Sequence, residues 1–78
     1  MNEYRIAQIS ENEFIAQVRL PNKDRVFEWC GITIEEFLVV NNYELQLRWC
    51  VVSTLERAKS IIKSHQKKWK IYPIYHKP

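Results

Sequence analysis

Hydrophobic and polar residues alternate along the first third of the chain, as they do in strands that bury one face. Residues 4–9 are rich in strand-forming types, and every second residue from Phe14 to Leu20 is apolar. A polar turn follows each stretch, and a strand-like pattern resumes at 25–30 before Gly31. The pattern therefore predicts an antiparallel meander of three strands, at 4–9, 13–20 and 25–30.

A longer alternation covers residues 43–52, where apolar side chains occupy every second position from Tyr43 to Val51. A period of two over this length predicts a fourth strand with one buried face. On that assignment, Leu47→Ala should cost about 2–5 kcal/mol of stability. The predicted core of the sheet consists of Phe14, Ala16, Val18, Leu45, Leu47 and Trp49.

The one long helix predicted by the pattern covers residues 54–69. Ser53 and Glu56 have the spacing of a capping box, and apolar residues then recur near helical spacing. Such a helix is ~24 Å long and matches strands of ~23 Å, so it can cover one face of the sheet. The residues expected to pack on the sheet are Leu55, Ala58, Ile61, Ile62 and Trp69.

Two segments permit more than one interpretation. Thr33 and Glu36 have capping-box spacing, which favours a short helix at 34–40, although Val39 and Val40 also suit a short strand. Residues 71–75 are strand-like, but Pro73 has no amide proton to donate, so a strand there would lie at an edge. The chain as a whole is predicted to be a single α+β domain over residues 1–78, with a sheet of about four strands and one main helix.

Charge is distributed unevenly. Residues 1–39 contain four basic and seven acidic residues, which gives −3, whereas residues 40–78 contain eight basic and two acidic residues, which gives +6. Seven bases and no acid lie between Arg57 and Pro78. This imbalance predicts either an anionic partner or a well-solvated helix face.

No pattern typical of a catalytic or cofactor site is present. Gly31 is the only glycine, which excludes the glycine-rich loops that bind nucleotides. Cys30, Cys50, His65 and His76 lack the close pairing of zinc ligands, and the two cysteines are predicted to be buried, reduced thiols. We therefore predict a protein that is not an enzyme and that has no metal, no cofactor and no catalytic residue.

Basic and aromatic residues are interleaved near the C-terminus, which is one way in which small domains bind nucleic acid. Lysines would neutralise phosphates and aromatic rings would stack on bases, although arginine, the preferred residue for such contacts, is scarce there. This alternative function would use Lys63, Lys67, Lys68, Trp69, Lys70, Tyr72 and Tyr75.

The favoured function is that of a small interaction module, an inhibitor or adaptor that covers the surface of a protein partner or of its own copy. The ten aromatic residues favour this interpretation, since Tyr and Trp are common interface anchors. An edge strand carrying Tyr72, Ile74 and Tyr75 could pair with another chain. The absence of a leader and of a long apolar run predicts a cytoplasmic protein without a membrane partner, and the composition suits an accessory protein of a bacterium, phage or mobile element.

Overall fold

The computed structural model describes residues 3–19 and 29–71, the last three of them by their backbone only. Within these residues the fold is α+β, with a five-stranded antiparallel sheet and two helices. In chain order the elements are β1 (Glu3–Ser10), β2 (Glu13–Arg19), β3 (Cys30–Ile32), β4 (Val39–Val40), α1 (Tyr43–Trp49), β5 (Val51–Val52) and α2 (Leu55–Ile71).

β1 and β2 form a hairpin, which confirms the first two predicted strands. Tyr4 pairs with Val18 and Gln8 with Phe14, and the register shifts between Gln8 and Ser10 at the turn. The Ser10 hydroxyl donates to a carboxylate oxygen of Glu13 at 2.7 Å across this turn.

β2 is the central strand of the sheet. Besides β1, it pairs with β3 through Gln17 and Val18, and with β5 through Phe14 and Ile15. The outer strand β4 pairs with β3. Residues 15–18 are all buried, because both faces of β2 are covered.

α2 covers the face of the sheet that Ala16 and Val18 share. Ala58 and Ile61 are buried against this face and Ile62 packs beside them, as predicted. The helix begins one residue later than its capping box suggests, because the Thr54 hydroxyl accepts the amide proton of Arg57 at 3.2 Å. Leu55, by contrast, remains 40% exposed, and the side chain of Trp69 lies outside the part of the chain that the structure describes.

The predicted strand at 43–52 is wrong over most of its length, since residues 43–49 form α1 and only residues 51–52 form a strand. Asn42 begins the helix: its side-chain oxygen accepts the amide protons of Glu44 at 2.9 Å and Leu45 at 3.4 Å. Leu45, Leu47 and Trp49 are consequently exposed by 39%, 40% and 54% rather than buried in the core.

The favoured helix at 34–40 is also wrong, because residues 34–36 form a turn and Val39–Val40 form β4. The Thr33 hydroxyl accepts the amide proton of Leu38 at 2.9 Å instead of capping a helix. Phe37 has φ of 56°, a left-handed conformation that interrupts any right-handed helix.

The third strand of the meander lies beside β2 as predicted, but the structure places it at Cys30–Ile32, and residues 20–28 lie outside the described ranges. The predicted edge strand at 71–75 also falls outside them, apart from Ile71, which ends α2.

Candidate functional site

α1 exposes apolar side chains on both of its flanks. Tyr43 is 60% exposed, and Leu45, Leu47 and Trp49 are each at least 39% exposed. Leu38, which is 48% exposed, precedes β4 in the neighbouring segment. We call these five residues the α1 surface. Tyr43 and Leu47 are one helical turn apart, as are Leu45 and Trp49, so the apolar residues form two pairs along the helix.

Two inward-facing side chains between these pairs hold α1 on the sheet. Gln46 is 2% exposed and bonds at both ends of its amide: it accepts from Gln17 Nε2 at 3.0 Å and donates to the Trp29 carbonyl at 3.3 Å. Cys50, one turn later, is fully buried. Both pack over Gly31, on the opposite side of the sheet from α2. The short helix therefore packs through polar and sulfur atoms and leaves its large apolar side chains outside.

A groove of about 570 Å³ runs between α1 and the segment 33–40. We call it the edge groove. The Ile34 amide donates to the Trp49 carbonyl at 3.3 Å and so links the two sides. The apolar lining of the edge groove comes from Ile34, Leu38, Val39, Val40, Leu45 and Trp49.

Charged residues of opposite sign also line the edge groove, with Glu35 and Glu36 on one side and Arg48 on the other. Within the described ranges, neither carboxylate forms an ion pair with Arg48. The Glu36 carbonyl accepts a hydrogen bond from Lys68 Nζ at 3.2 Å, which ties the acidic side of the groove to α2.

The basic residues predicted to contact nucleic acid are only partly described. Lys63, Lys67 and Lys68 are exposed on α2, and Lys68 bonds to the turn at 34–36. The side chains of Trp69 and Lys70, and all of Tyr72, Ile74 and Tyr75, lie outside the described residues. The structure therefore places three exposed lysines on α2. It leaves the aromatic half of that prediction, and the predicted interface of Tyr72, Ile74 and Tyr75, untested.

His65 is a core residue that faces the sheet from α2. It is 1% exposed, its Nδ1 lies 2.9 Å from the Tyr4 hydroxyl, and the two rings meet edge to face with centroids 5.6 Å apart. Burial, and to a smaller extent the charge of Lys68, lower the pKa of His65. The neutral imidazole is thus the form that the folded protein favours.

Cys50 lacks the environment of a nucleophile. Burial raises the pKa of the Cys50 thiol to about 11, whereas a reactive cysteine needs a lowered pKa. Cys30 is a half-buried thiol. In the described part of the chain no group of three His, Cys, Asp or Glu side chains is placed to hold a metal ion.

A cluster of two arginines and Trp29 lies on the face of the sheet against which α1 packs. Arg5 and Arg19 lie over the Trp29 ring, with guanidinium carbons 4.2 Å and 5.3 Å from its centroid. Arg5 also donates to the Gln17 side-chain oxygen at 2.7 Å, and Arg19 pairs with Glu3, whose pKa it lowers. These contacts bind the arginines to the sheet itself.

The sequence contained one signal for the α1 surface that its alternation concealed. Asn42 followed by Glu44 is typical of the start of a helix, and Arg48 lies in the last turn, where a positive charge is favourable.

No helix in the described ranges combines the length and the apolar character that crossing a bilayer requires. Searches of protein-family models, curated proteins and solved structures found no match to the chain.

Proposed function

We propose that the protein is a small, non-enzymatic interaction module, an adaptor or inhibitor, which binds a protein partner through the α1 surface and the edge groove. The observation that carries this proposal is the exposure of Trp49 and Tyr43, by 54% and 60%, on a helix of seven residues. Aromatic residues of this kind are the usual anchors of protein interfaces.

The size of the α1 surface supports the proposal. An aromatic side chain offers on the order of 150–250 Å², so Tyr43 and Trp49 each leave roughly 80–150 Å² in contact with water. With the three exposed leucines, the apolar area of the two flanks together is on the order of 400 Å². It is divided between a part at the edge groove, formed by Leu38, Leu45 and Trp49, and a second part, formed by Tyr43 and Leu47, on the other flank of α1. A typical interface buries ~800 Å² of each partner, so the α1 surface could supply its apolar centre.

The chemistry of the edge groove indicates what the partner presents. The lining is apolar and the charged residues Glu35, Glu36 and Arg48 lie at its sides. A matching surface has a protruding apolar or aromatic side chain with charges of both signs around it, which is the usual arrangement of an interface core and rim. Binding of this kind would act by covering the partner's own surface.

The experiment is site-specific photocrosslinking in cells of the source organism, with a benzophenone amino acid at Leu45 or at Leu55. These two leucines are matched in exposure, at 39% and 40%, but Leu55 lies outside the α1 surface. A protein adduct is expected from position 45 and not from position 55, and Trp49→Asp should abolish it. The identified partner, once purified, should bind the wild-type chain and lose at least ~10-fold in affinity with Trp49→Asp, as expected for an aromatic anchor. Equal adducts at both positions, or none, would contradict the proposal.

Nucleic-acid binding is a second candidate, favoured by one observation. Lys59, Lys63 and Lys67 are exposed at intervals of one helical turn along α2, and only Lys59 has an ion-pair partner in the described residues, Glu56 at 3.8 Å. Such a row of charges over ~12 Å could follow a phosphate backbone.

This candidate is distinguished by its dependence on salt. Titration of an oligonucleotide at ~50 and ~200 mM salt should show affinity that falls steeply at the higher concentration. The double variant Lys63→Glu/Lys67→Glu should abolish binding, whereas Trp49→Asp should leave it intact. Affinity that does not change with salt would argue against this function.

A further inference from the structure

The charged residues of the edge groove form no ion pairs with one another or with other residues of the described ranges. Glu35 and Glu36 lie on one side and Arg48 on the other. Opposite charges that line one groove without pairing are complementary to a surface with the reverse arrangement. A second copy of the same groove, turned through 180°, has that arrangement.

We propose that the partner of the edge groove is a second copy of this chain, in a two-fold symmetric dimer. This inference rests on the proposed function and specifies its partner. In a two-fold interface the same patch is used by both subunits, so each contact occurs twice. Arg48 of each copy then faces Glu35 and Glu36 of the other, and two sets of charge pairs form at the ends of one apolar contact.

The apolar residues meet the needs of the same arrangement. Trp49 and Leu45 form one wall of the groove and are 54% and 39% exposed, so they project far enough to contact another molecule. The volume of about 570 Å³ lies within the range of ~300–1,000 Å³ that encloses drug-sized ligands. The groove of one copy can therefore admit the Trp49 ring of the second copy, while the Trp49 ring of the first copy enters the groove of the second.

The apolar lining of the edge groove is placed to form the centre of a dimer contact. About 65% of a homodimer interface is apolar, so a standard contact of ~800 Å² per subunit needs roughly 500 Å² of apolar surface from each copy. Leu38, Leu45 and Trp49 supply the exposed part of this apolar surface, and Ile34, Val39 and Val40 line the groove beside them. Like-charge contacts in a wrong orientation would disfavour other modes of pairing.

The test is a charge exchange across the groove, followed by sedimentation equilibrium from ~1 µM to ~1 mM protein. The wild-type chain should shift from 9.5 kDa toward twice that mass, about 19 kDa, as concentration rises. Arg48→Glu alone, and Glu35→Arg/Glu36→Arg alone, should each weaken the dimer roughly 10- to 100-fold through like-charge contacts. The triple variant, which exchanges the charges, should restore dimerisation to near the wild-type affinity.

Arg57→Glu is the matched control, because Arg57 is an exposed arginine on α2 outside the groove. It changes net charge as Arg48→Glu does and should leave the dimer intact. Circular dichroism melting of every variant separates loss of the dimer from loss of the fold, and Leu45→Lys provides a second variant that should also give a monomer.

The outcomes separate this inference from the proposed function. A wild-type chain that stays at 9.5 kDa up to ~1 mM, or a dimer that Arg48→Glu leaves unchanged, overturns the dimer. If the chain is monomeric but the crosslink from Leu45 captures a different protein, the proposed function stands and only the second copy is refuted. If both experiments fail, the α1 surface has no role in binding.

Discussion

Gly31 is the position where a single methyl group should test the packing of α1 most directly. A Cβ atom at this residue would lie 2.7 Å from Gln46 Cγ, 3.2 Å from Gln46 Cβ and 2.9 Å from Cys50 Sγ. Carbon atoms in ordinary contact are ~3.5–4.0 Å apart. In Gly31→Ala, α1 must therefore move away from β3 by nearly 1 Å, or the side chains of Gln46 and Cys50 must both shift.

Neither response is free of cost. Gln46 is anchored by the bonds to the Gln17 side chain and to the Trp29 carbonyl, at 3.0 Å and 3.3 Å, so a rotation would break hydrogen bonds inside the protein. Overpacking costs ~1–3 kcal/mol, and the lower entropy of the unfolded alanine variant returns only ~0.4–1 kcal/mol. We expect a net loss of ~1.3 kcal/mol, or a fall of roughly 5–10 °C in Tm for a domain of this size.

Urea denaturation followed by circular dichroism measures this loss, and a double-mutant cycle with Gln46→Ala assigns it to the contact. Removal of Gln46 Cγ eliminates the closest approach but leaves Cys50 Sγ at 2.9 Å, so Gly31→Ala should cost ~0.5 kcal/mol less in that background. The reasoning is refuted if Gly31→Ala is as stable as the wild type, or if its cost is the same in both backgrounds.

Three further results are expected. Burial lowers the pKa of His65, so the folded protein should have its full stability above the ordinary histidine pKa of 6.5 and lose stability as the pH falls below it. In Tm measurements from pH 8 to 5, His65→Gln should make this loss smaller. Leu47→Ala should cost under ~1 kcal/mol because Leu47 is 40% exposed, in contrast to ~2–5 kcal/mol for the buried Ile61→Ala; urea midpoints that rank the two in reverse would restore the strand assignment. Gln46→Leu alone should cost ~1–3 kcal/mol by leaving the Gln17 amide and the Trp29 carbonyl without a partner, whereas Gln17→Met/Gln46→Leu should recover the part due to Gln17 in the same assay.

Two periodic segments could be predicted from the sequence, because their periodicity agrees with the way they pack, whereas the longest alternation, at 43–52, was assigned to the wrong element. The alternation from Phe14 to Val18 correctly predicted β2, and the apolar stripe with Ala58 and Ile61 correctly predicted α2. Shorter elements could not be predicted in this way, since their form depends on neighbours that are distant in the chain. β4 is two residues long and exists because Val39 pairs with Ile32.

The α1 surface was missed because alternate positions over seven residues fit both a strand and a helix. In a helix, Tyr43 and Leu47 form one apolar pair and Leu45 and Trp49 another, and the residue between the pairs, Gln46, faces the sheet. A glutamine is a poor predictor of a buried position, so the inward face of α1 carried no hydrophobic signal. The lysines of α2 were easier to place, since their spacing and charge already indicated an exposed face.

The burial of both faces of β2 has a consequence for how the sheet finds its register. A strand with one wet face is held in register because a slip of one residue exposes its apolar side chains to water. In β2, four consecutive residues from Ile15 to Val18 are buried, so hydrophobicity alone distinguishes the two registers poorly. Gln17 supplies the difference: a slip would carry its amide into the apolar layer under α2 and away from Gln46 and Arg5. The buried amide pair thus selects one alignment of the strands from two that apolar contacts would accept.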